Sequence, residues 1–358
     1  QFLKYHETIL IIYAEYKNIL DHLLIDILRG LCMFSVIYSH ILLFCIGYTE
    51  TSLLTDFLRG FYLNTFFFIS GFLSYKANWD FSTTRNFLKK KIATLLIPTL
   101  FCLGVFCFFM RINYMTSLLD ANKSGYWFTF TLFEMFSLYA IHSYITNTIK
   151  NKKYQTSLLI LLALGSYLLN KVHIITSPLW GGIFNIGGLL YYIPLFWIGI
   201  ACRINIDLFH KIINLKVVRI CLFIIVILGL KSNFIPLIIY SISSTLFIYT
   251  IINNFTANKY YGKVQKYGYN ILKTIGENSL QIYFLHYFLL FRYPESTINY
   301  MHGLYSDYCF ATHSCAGFIE FCIVGITSIL ISFTCIYIAK VLNYIPYIGI
   351  FMLGYTAK

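Results

Sequence analysis

Residues 23–44 read LLIDILRGLCMFSVIYSHILLF, and the fold is decided there. The stretch is long and apolar enough to cross a bilayer, whose hydrocarbon core of roughly 30 Å needs about 20 apolar residues per helix. It nevertheless carries Asp26, Arg29 and His40. An ionisable group inside a membrane is costly, so each is a functional hypothesis by default. Arg29 and His40 are separated by almost three whole helical turns, which puts them on one face, about 16 Å apart along the axis. Arg29 would sit near one membrane surface and His40 beyond the midplane. The rigid donor fork of a guanidinium suits a phosphate. Histidine, with an unperturbed pKa near about 6.5, suits proton abstraction. A long substrate entering end-on could pair its anionic head with Arg29 while its reactive end reaches His40. Asp26, one turn before Arg29, would orient or neutralise it. The plainer reading makes Arg29 a snorkelling anchor and His40 a satisfied core histidine.

Working outward, the rest of the chain is of the same kind. Of 358 residues, 58% are hydrophobic and only 11% charged, with a mean hydropathy of +0.70. Soluble domains carry about 25% charge, so the sequence implies an all-α integral membrane protein. It implies one transmembrane domain over 1–358: an N-terminal segment 1–22, a core over 24–340 and a short C-terminal segment 341–358. Ten spans are expected, at about 24–46, 57–75, 92–110, 126–147, 156–171, 186–202, 217–231, 234–253, 275–292 and 316–340. Alternating sides along these spans gathers 21 of the 27 Lys and Arg residues on one side and leaves Arg59, Arg111, Lys123, Lys171, Lys231 and Arg292 on the other. Positive loops face the cytoplasm, so both termini are expected there.

The same distribution accounts for the net charge of +13. The basic residues fill short loops between apolar runs, without the aromatic interleaving of a nucleic-acid binder, so no nucleic acid is expected. Most of the ten cysteines lie in apolar segments, where Cys acts as a small hydrophobe. No CxxC pair occurs, so no metal is expected. Cys309 and Cys315 share a hydrophilic loop where a bridge could form. No Gly-x-Ser-x-Gly elbow is present.

At this point the sequence resembles a family. Asp-x-x-Arg leading into a first span, with His after ten intervening residues, is similar to the membrane acyltransferase-3 family. Further segments agree in order: NTFFFISGFLSYK (64–76), KKKIATLLIP (89–98), GYWFTFTLF (125–133), YYIPLFWIGIACR (191–203), IGENSLQIYFLHYFLL (275–290) and IPYIGIFMLGY (345–355). The resemblance covers nearly the whole chain. It implies ten spans and acyl transfer from cytoplasmic acyl-CoA, usually acetyl-CoA, to a hydroxyl of a sugar or related acceptor, with no tightly bound cofactor. It further implies His40 as the catalytic base and Arg29 as a donor-site residue, with Lys89, Lys90 and Lys91 meeting the CoA phosphates. The family often has a second Arg three residues after this basic cluster, whereas this chain has Thr94, so the lysines could equally serve topology alone.

Other candidates remain open between chemistry and packing. Glu134, near the middle of its span, could pair with His40 as a triad acid does or pack against a polar neighbour. His286 could touch the acceptor or His40, or hold helices together. Ser70 beside Gly71 could supply a hydroxyl or serve close helix packing, and Trp127 opens the family's Trp-Phe segment. The expected partners are acyl-CoA, a carbohydrate acceptor and the bilayer, with a homo-oligomer compatible. A composition heavy in Ile, Phe, Lys, Asn and Tyr points to a bacterial inner membrane. The competing class is a glycan transporter or flippase lined by the same polar residues, which many such proteins build from repeats that this chain lacks.

Overall fold

A computed structural model describes residues 22–47, 53–172, 178–231, 235–257, 263–290, 294–309, 316–345 and 347–354. Every regular element among them is helical. In hydrocarbon no water pairs with backbone N–H and C=O groups, and a helix satisfies them internally. The helices are α1 (His22–Ile46), α2 (Leu53–Ser74), α3 (Phe81–Met110), α4 (Tyr114–Leu119), α5 (Trp127–Ile145), α6 (Lys152–Lys171), α7 (Pro178–Ile183) and α8 (Ile186–Ile204). There follow α9 (Ile206–Ile213), α10 (Lys216–Lys231), α11 (Leu237–Ala257), α12 (Lys263–Glu277), α13 (Ser279–Leu289), α14 (Glu295–Cys309), α15 (Ala316–Asn343) and α16 (Ile348–Leu353). Cys315, half of the bridge considered above, lies outside the described residues.

Helices α1, α3, α8, α11 and α15 contain stretches long and apolar enough to cross a bilayer. A sixth is added if α9 and α10, bent by 74° where they meet, form one span. The other expected spans fall on α2, α5, α6 and the α12–α13 pair, whose polar content or length keeps them below that mark. Helix α2 carries Asp56, Arg59 and Asn64, α6 carries Lys152, Lys153 and Lys171, and α13 is only 11 residues long. The outward faces of α6 and α10 are apolar, with Leu161, Leu164, Leu168, Val217 and Ile220 exposed. Exposed apolar surface on this scale marks a membrane contact.

The chain forms two compact units. Unit 1 comprises residues 1–65, 213–279 and 297–329. Here α1 crosses α12 with glycine on both sides of the contact. A Cβ on Gly30 would collide with the carbonyl of Leu272, and one on Gly276 with the carbonyl of Asp26. Small residues let membrane helices approach this closely. Helix α1 is α-helical from residue 22 to His40 and then widens into a π-helix over Ile41–Ile46. Gly47, at φ 69°, ends it.

Unit 2 comprises residues 66–212, 280–296 and 330–358. Helices α2 and α8 cross reciprocally: a Cβ on Gly71 would strike the carbonyl of Phe196, and one on Gly199 that of Phe68. Helix α3 also contains a π segment, Ile92–Leu96, and here the cause is in the sequence. Pro98 lacks an N–H, so it cannot donate to the carbonyl of Thr94 four residues earlier. The N–H of Ile97 reaches back to Ile92 instead. Gly354, at the end of α16, is seated against the Thr94 backbone, and Cys102 Sγ lies 3.4 Å from the Met352 carbonyl.

Candidate functional site

In unit 1 the polar residues of α1 keep the spacing read from the sequence. No break interrupts the α-helix between Arg29 and His40. Arg29 Nη1 lies 3.5 Å from Asp26 Oδ1, and both side chains are partly exposed. The Asp26–Arg29 pair spans one helical turn of α1. It lies beside the α1–α12 crossing, and Lys273 and Glu277 form an ion pair of 3.6 Å on α12.

His40 is half-buried and occupies the last residue before the π segment. Its ring packs against Phe44, with centroids 5.5 Å apart. Short π segments occur often at functional sites, because the wider turn re-aims side chains and loosens the backbone ladder. Two residues earlier, the buried Tyr38 hydroxyl donates to Glu320 Oε1 at 2.6 Å. Thr55 Oγ1 donates to the same oxygen at 2.9 Å. Glu320 is only 1% exposed, and it ties α1, α2 and α15 together just below the π segment. The sequence reading passed over this carboxylate. The available signal was a Glu only four residues into the long apolar run of α15.

In unit 2 Glu134 has both carboxylate oxygens shut off from solvent, with no hydrogen-bond partner among the described residues. Lys123 is the charge in this unit that acts on it. Lys123 is itself fully buried. Its Nζ donates to the carbonyls of Leu118, Asp120, Gly182 and Ile183 at 2.8–3.3 Å and lies 4.5 Å from the Phe130 ring centre. The ammonium thereby satisfies the C-terminal carbonyls of α4 and α7. Burial pushes this lysine below its ordinary pKa, while the charges of Glu134 and Asp120 act the other way.

His286 is completely buried. Its Nδ1 lies 2.7 Å from the carbonyl of Tyr283 and 3.1 Å from that of Ile282. Carbonyls only accept, so Nδ1 carries the proton and Nε2 is the basic nitrogen. The ring packs on Tyr287 at 4.2 Å. Around it, the Tyr126 hydroxyl donates to the Phe284 carbonyl at 3.2 Å and the Tyr283 hydroxyl to that of Gly125 at 3.0 Å. Trp127 stacks on Tyr192 at 5.7 Å.

Ser70 is half-buried beside the Gly71 crossing. Lys89 and Lys90 are exposed at the end of the first helical stretch of α3. Lys91 lies over the rings of Phe136 and Phe87, at 3.6 and 5.4 Å. The expected residues thus fall into two sets. Asp26, Arg29 and His40 belong to unit 1, while Ser70, Lys89, Lys90, Lys91, Trp127, Glu134 and His286 belong to unit 2.

A family model described as an acyltransferase domain matches residues 23–338, from the start of the Asp26–His40 helix into the last long helix. The chain belongs to the acyltransferase-3 family. The match covers almost every helix described above, including both π segments. No match was found among curated proteins or among solved structures. The activity this family implies is acyl transfer, and α1 is the helix that carries the His40 imidazole and the Arg29 guanidinium.

Proposed function

We propose that the protein is an O-acyltransferase of the bacterial inner membrane, with ten spans and both termini in the cytoplasm. It would move an acyl group, most simply acetyl, from cytoplasmic acyl-CoA to a hydroxyl of a surface polysaccharide or lipid-linked glycan. The observation that carries this reading is His40 at the α-to-π junction of the helix that also bears Arg29.

In the direct mechanism, His40 takes the proton of the acceptor hydroxyl as its oxygen attacks the thioester carbonyl. The tetrahedral intermediate collapses with cleavage of the C–S bond, and the imidazolium returns the proton to the departing thiolate. Atoms and charge balance without any further reactant. General-base catalysis of this kind is worth roughly 10²–10⁴-fold. Arg29 pairs with a phosphate of the donor, whose planar recognition a guanidinium favours. Glu320 is a positioning residue: by holding Tyr38 it fixes the helix face from which His40 projects. Lys89 and Lys90 would add electrostatic attraction for the CoA phosphates.

The test is acetyl-CoA binding and slow thioester hydrolysis by purified protein, comparing wild type with His40→Ala and Arg29→Ala. Wild type is expected to bind and turn over the donor. His40→Ala should retain binding with turnover down at least 100-fold, on the general-base scale above, and Arg29→Ala should lose binding. If none of the three responds to acetyl-CoA, the reading is wrong, and flux of a glycan across proteoliposomes is the assay for the competing transporter class.

A further inference from the structure

Unit 2 contains a cavity of about 40 Å³ where α2, α5 and α8 end and α6 begins. That is room for about three waters, at roughly 10–15 Å³ each, or for one tetrahedral oxyanion. It is lined by Lys76, Trp79, Tyr139, His142, Ser143 and Asn147, among others, with no carboxylate among the described residues that line it. Both ring nitrogens of His142 are sealed from solvent, and neither has a hydrogen-bond partner among the described residues. Such orphaned polar atoms are uncommon in folded proteins and require an explanation. Asn147 Oδ1 already accepts from the Trp79 backbone N–H at 3.0 Å, so its amide N–H₂ is what remains to offer. Gln155 spends its amide nitrogen on the Ile149 carbonyl. With Lys76 and the Ser143 hydroxyl, the lining is therefore rich in donors.

Among these lining residues Lys76 carries the positive charge. Its ammonium lies 5.8 Å from the ring centre of Trp79 and 5.4 Å from that of Phe87. A cation over an aromatic face is attracted by the ring quadrupole, so the rings hold the Lys76 ammonium without neutralising its charge. A phosphate oxygen in the cavity accepts from the protonated ring nitrogen of His142 and is attracted by the Lys76 ammonium.

We propose that this cavity is a binding site for a phosphate group, with Lys76 matching its charge and His142, Ser143 and Asn147 bonding its oxygens. Two sources share this chemistry: the 3′-phosphate of an acyl-CoA, which rests on the donor reading above, and the phosphate of a membrane lipid headgroup. The cavity is too small for a nucleobase or a sugar, so only the phosphate itself enters.

The protein in nanodiscs of uncharged lipid is titrated with inorganic phosphate, acetyl-CoA and 3′-dephospho-acetyl-CoA, with thermal stability and binding as readouts. Wild type is compared with Lys76→Ala, His142→Gln and, should the His142 variant fail to fold, Ser143→Ala. Phosphate should raise the melting temperature of wild type above that in chloride of equal ionic strength, and should do so in none of the variants. Acetyl-CoA should bind wild type about tenfold more tightly than its dephospho form, with the ratio falling to about one in the variants. A phosphate response with equal binding of the two donors, transferred to nanodiscs containing phosphatidic acid, supports the site and assigns it to lipid. A phosphate response with no acetyl-CoA binding at all supports the site and counts against the donor reading instead. Wild type responding to phosphate no more than to chloride, or variants responding like wild type, overturns the proposal.

Discussion

The hydroxyl of Tyr38 and the carboxylate of Glu320, 282 residues apart in the chain, meet at 2.6 Å. This bond fixes α1 against α15 two residues before His40 and links the candidate base to the last long helix. Removing the carboxylate takes this acceptor from the buried Tyr38 and Thr55 hydroxyls, and losing a buried charged acceptor costs about 1–3 kcal/mol. Glu320→Ala is therefore expected to lower stability by an amount of that order, read by denaturant unfolding in detergent. Glu320→Gln, which still accepts, should recover most of it. If Glu320 also positions His40, Glu320→Ala should lower kcat for acetyl-CoA hydrolysis while leaving KM nearly unchanged. A parallel loss in both would reduce it to a purely structural tie.

The α1–α12 crossing yields a second expectation. A side chain at Gly276 would strike the carbonyl of Asp26, one turn from Arg29. Gly276→Val forces the helices apart, and overpacking of this kind costs about 1–3 kcal/mol. Acetyl-CoA affinity should fall with it, since the Asp26–Arg29 pair moves. Gly165→Val in α6, where a Cβ meets nothing, is the control and should leave affinity as it was.

Lys123 should prove structural. Its ammonium lies within hydrogen-bond reach of four carbonyls. Those of Asp120 and Gly182 also accept from the backbone N–H groups of Lys123 and Asn185, so Lys123→Met strips the donor chiefly from Leu118 and Ile183. Each such loss is worth about 1–3 kcal/mol, so the variant should unfold at markedly lower denaturant. Arginine should not rescue it, because its planar fork does not fit a pocket shaped around a compact ammonium.

Asp80 caps the start of α3, accepting from the Thr83 N–H at 2.7 Å. The Thr83 hydrogen bonds hold its carboxyl below the ordinary value of 3.8. A carboxylate with a depressed folded pKa contributes stability that is fully present above its unfolded pKa and lost as pH falls through the folded one. Wild type should thus lose thermal stability below about pH 4 more steeply than Asp80→Asn, because Asn caps without titrating. Coincident acid profiles for the two proteins would exclude this contribution.

The all-helical class and the α1 constellation were legible in the sequence for one reason. A charged residue inside an apolar run stands out, and helical spacing then says which face it occupies. Glu320 met the same condition and could have been read. Its partners could not, because Tyr38 and Thr55 are ordinary hydroxyls whose meeting depends on the packing of α1, α2 and α15. The π segment at Ile92–Leu96 had its signal in Pro98, whereas the one after His40 has no proline and no local cause. The His142 cavity was hidden for a different reason. Its lining comes from helix ends and connections, where polar residues are expected and attract no notice. Span counting weakened where helices were polar, as in α2 and α6, or broken, as at Asn278.

The two units are woven from alternating stretches of chain, each needing three. Residues 297–329 complete the first and residues 330–358 the second. Many proteins finish one domain while the ribosome is still making the next. Here neither unit is whole until the closing helices have been synthesised and inserted, so a nascent chain arrested before Gly354 would leave the Thr94 π segment without its cover. A nonsense mutation near the C-terminus should therefore behave as an assembly defect, cleared by membrane quality control, rather than as a mild shortening.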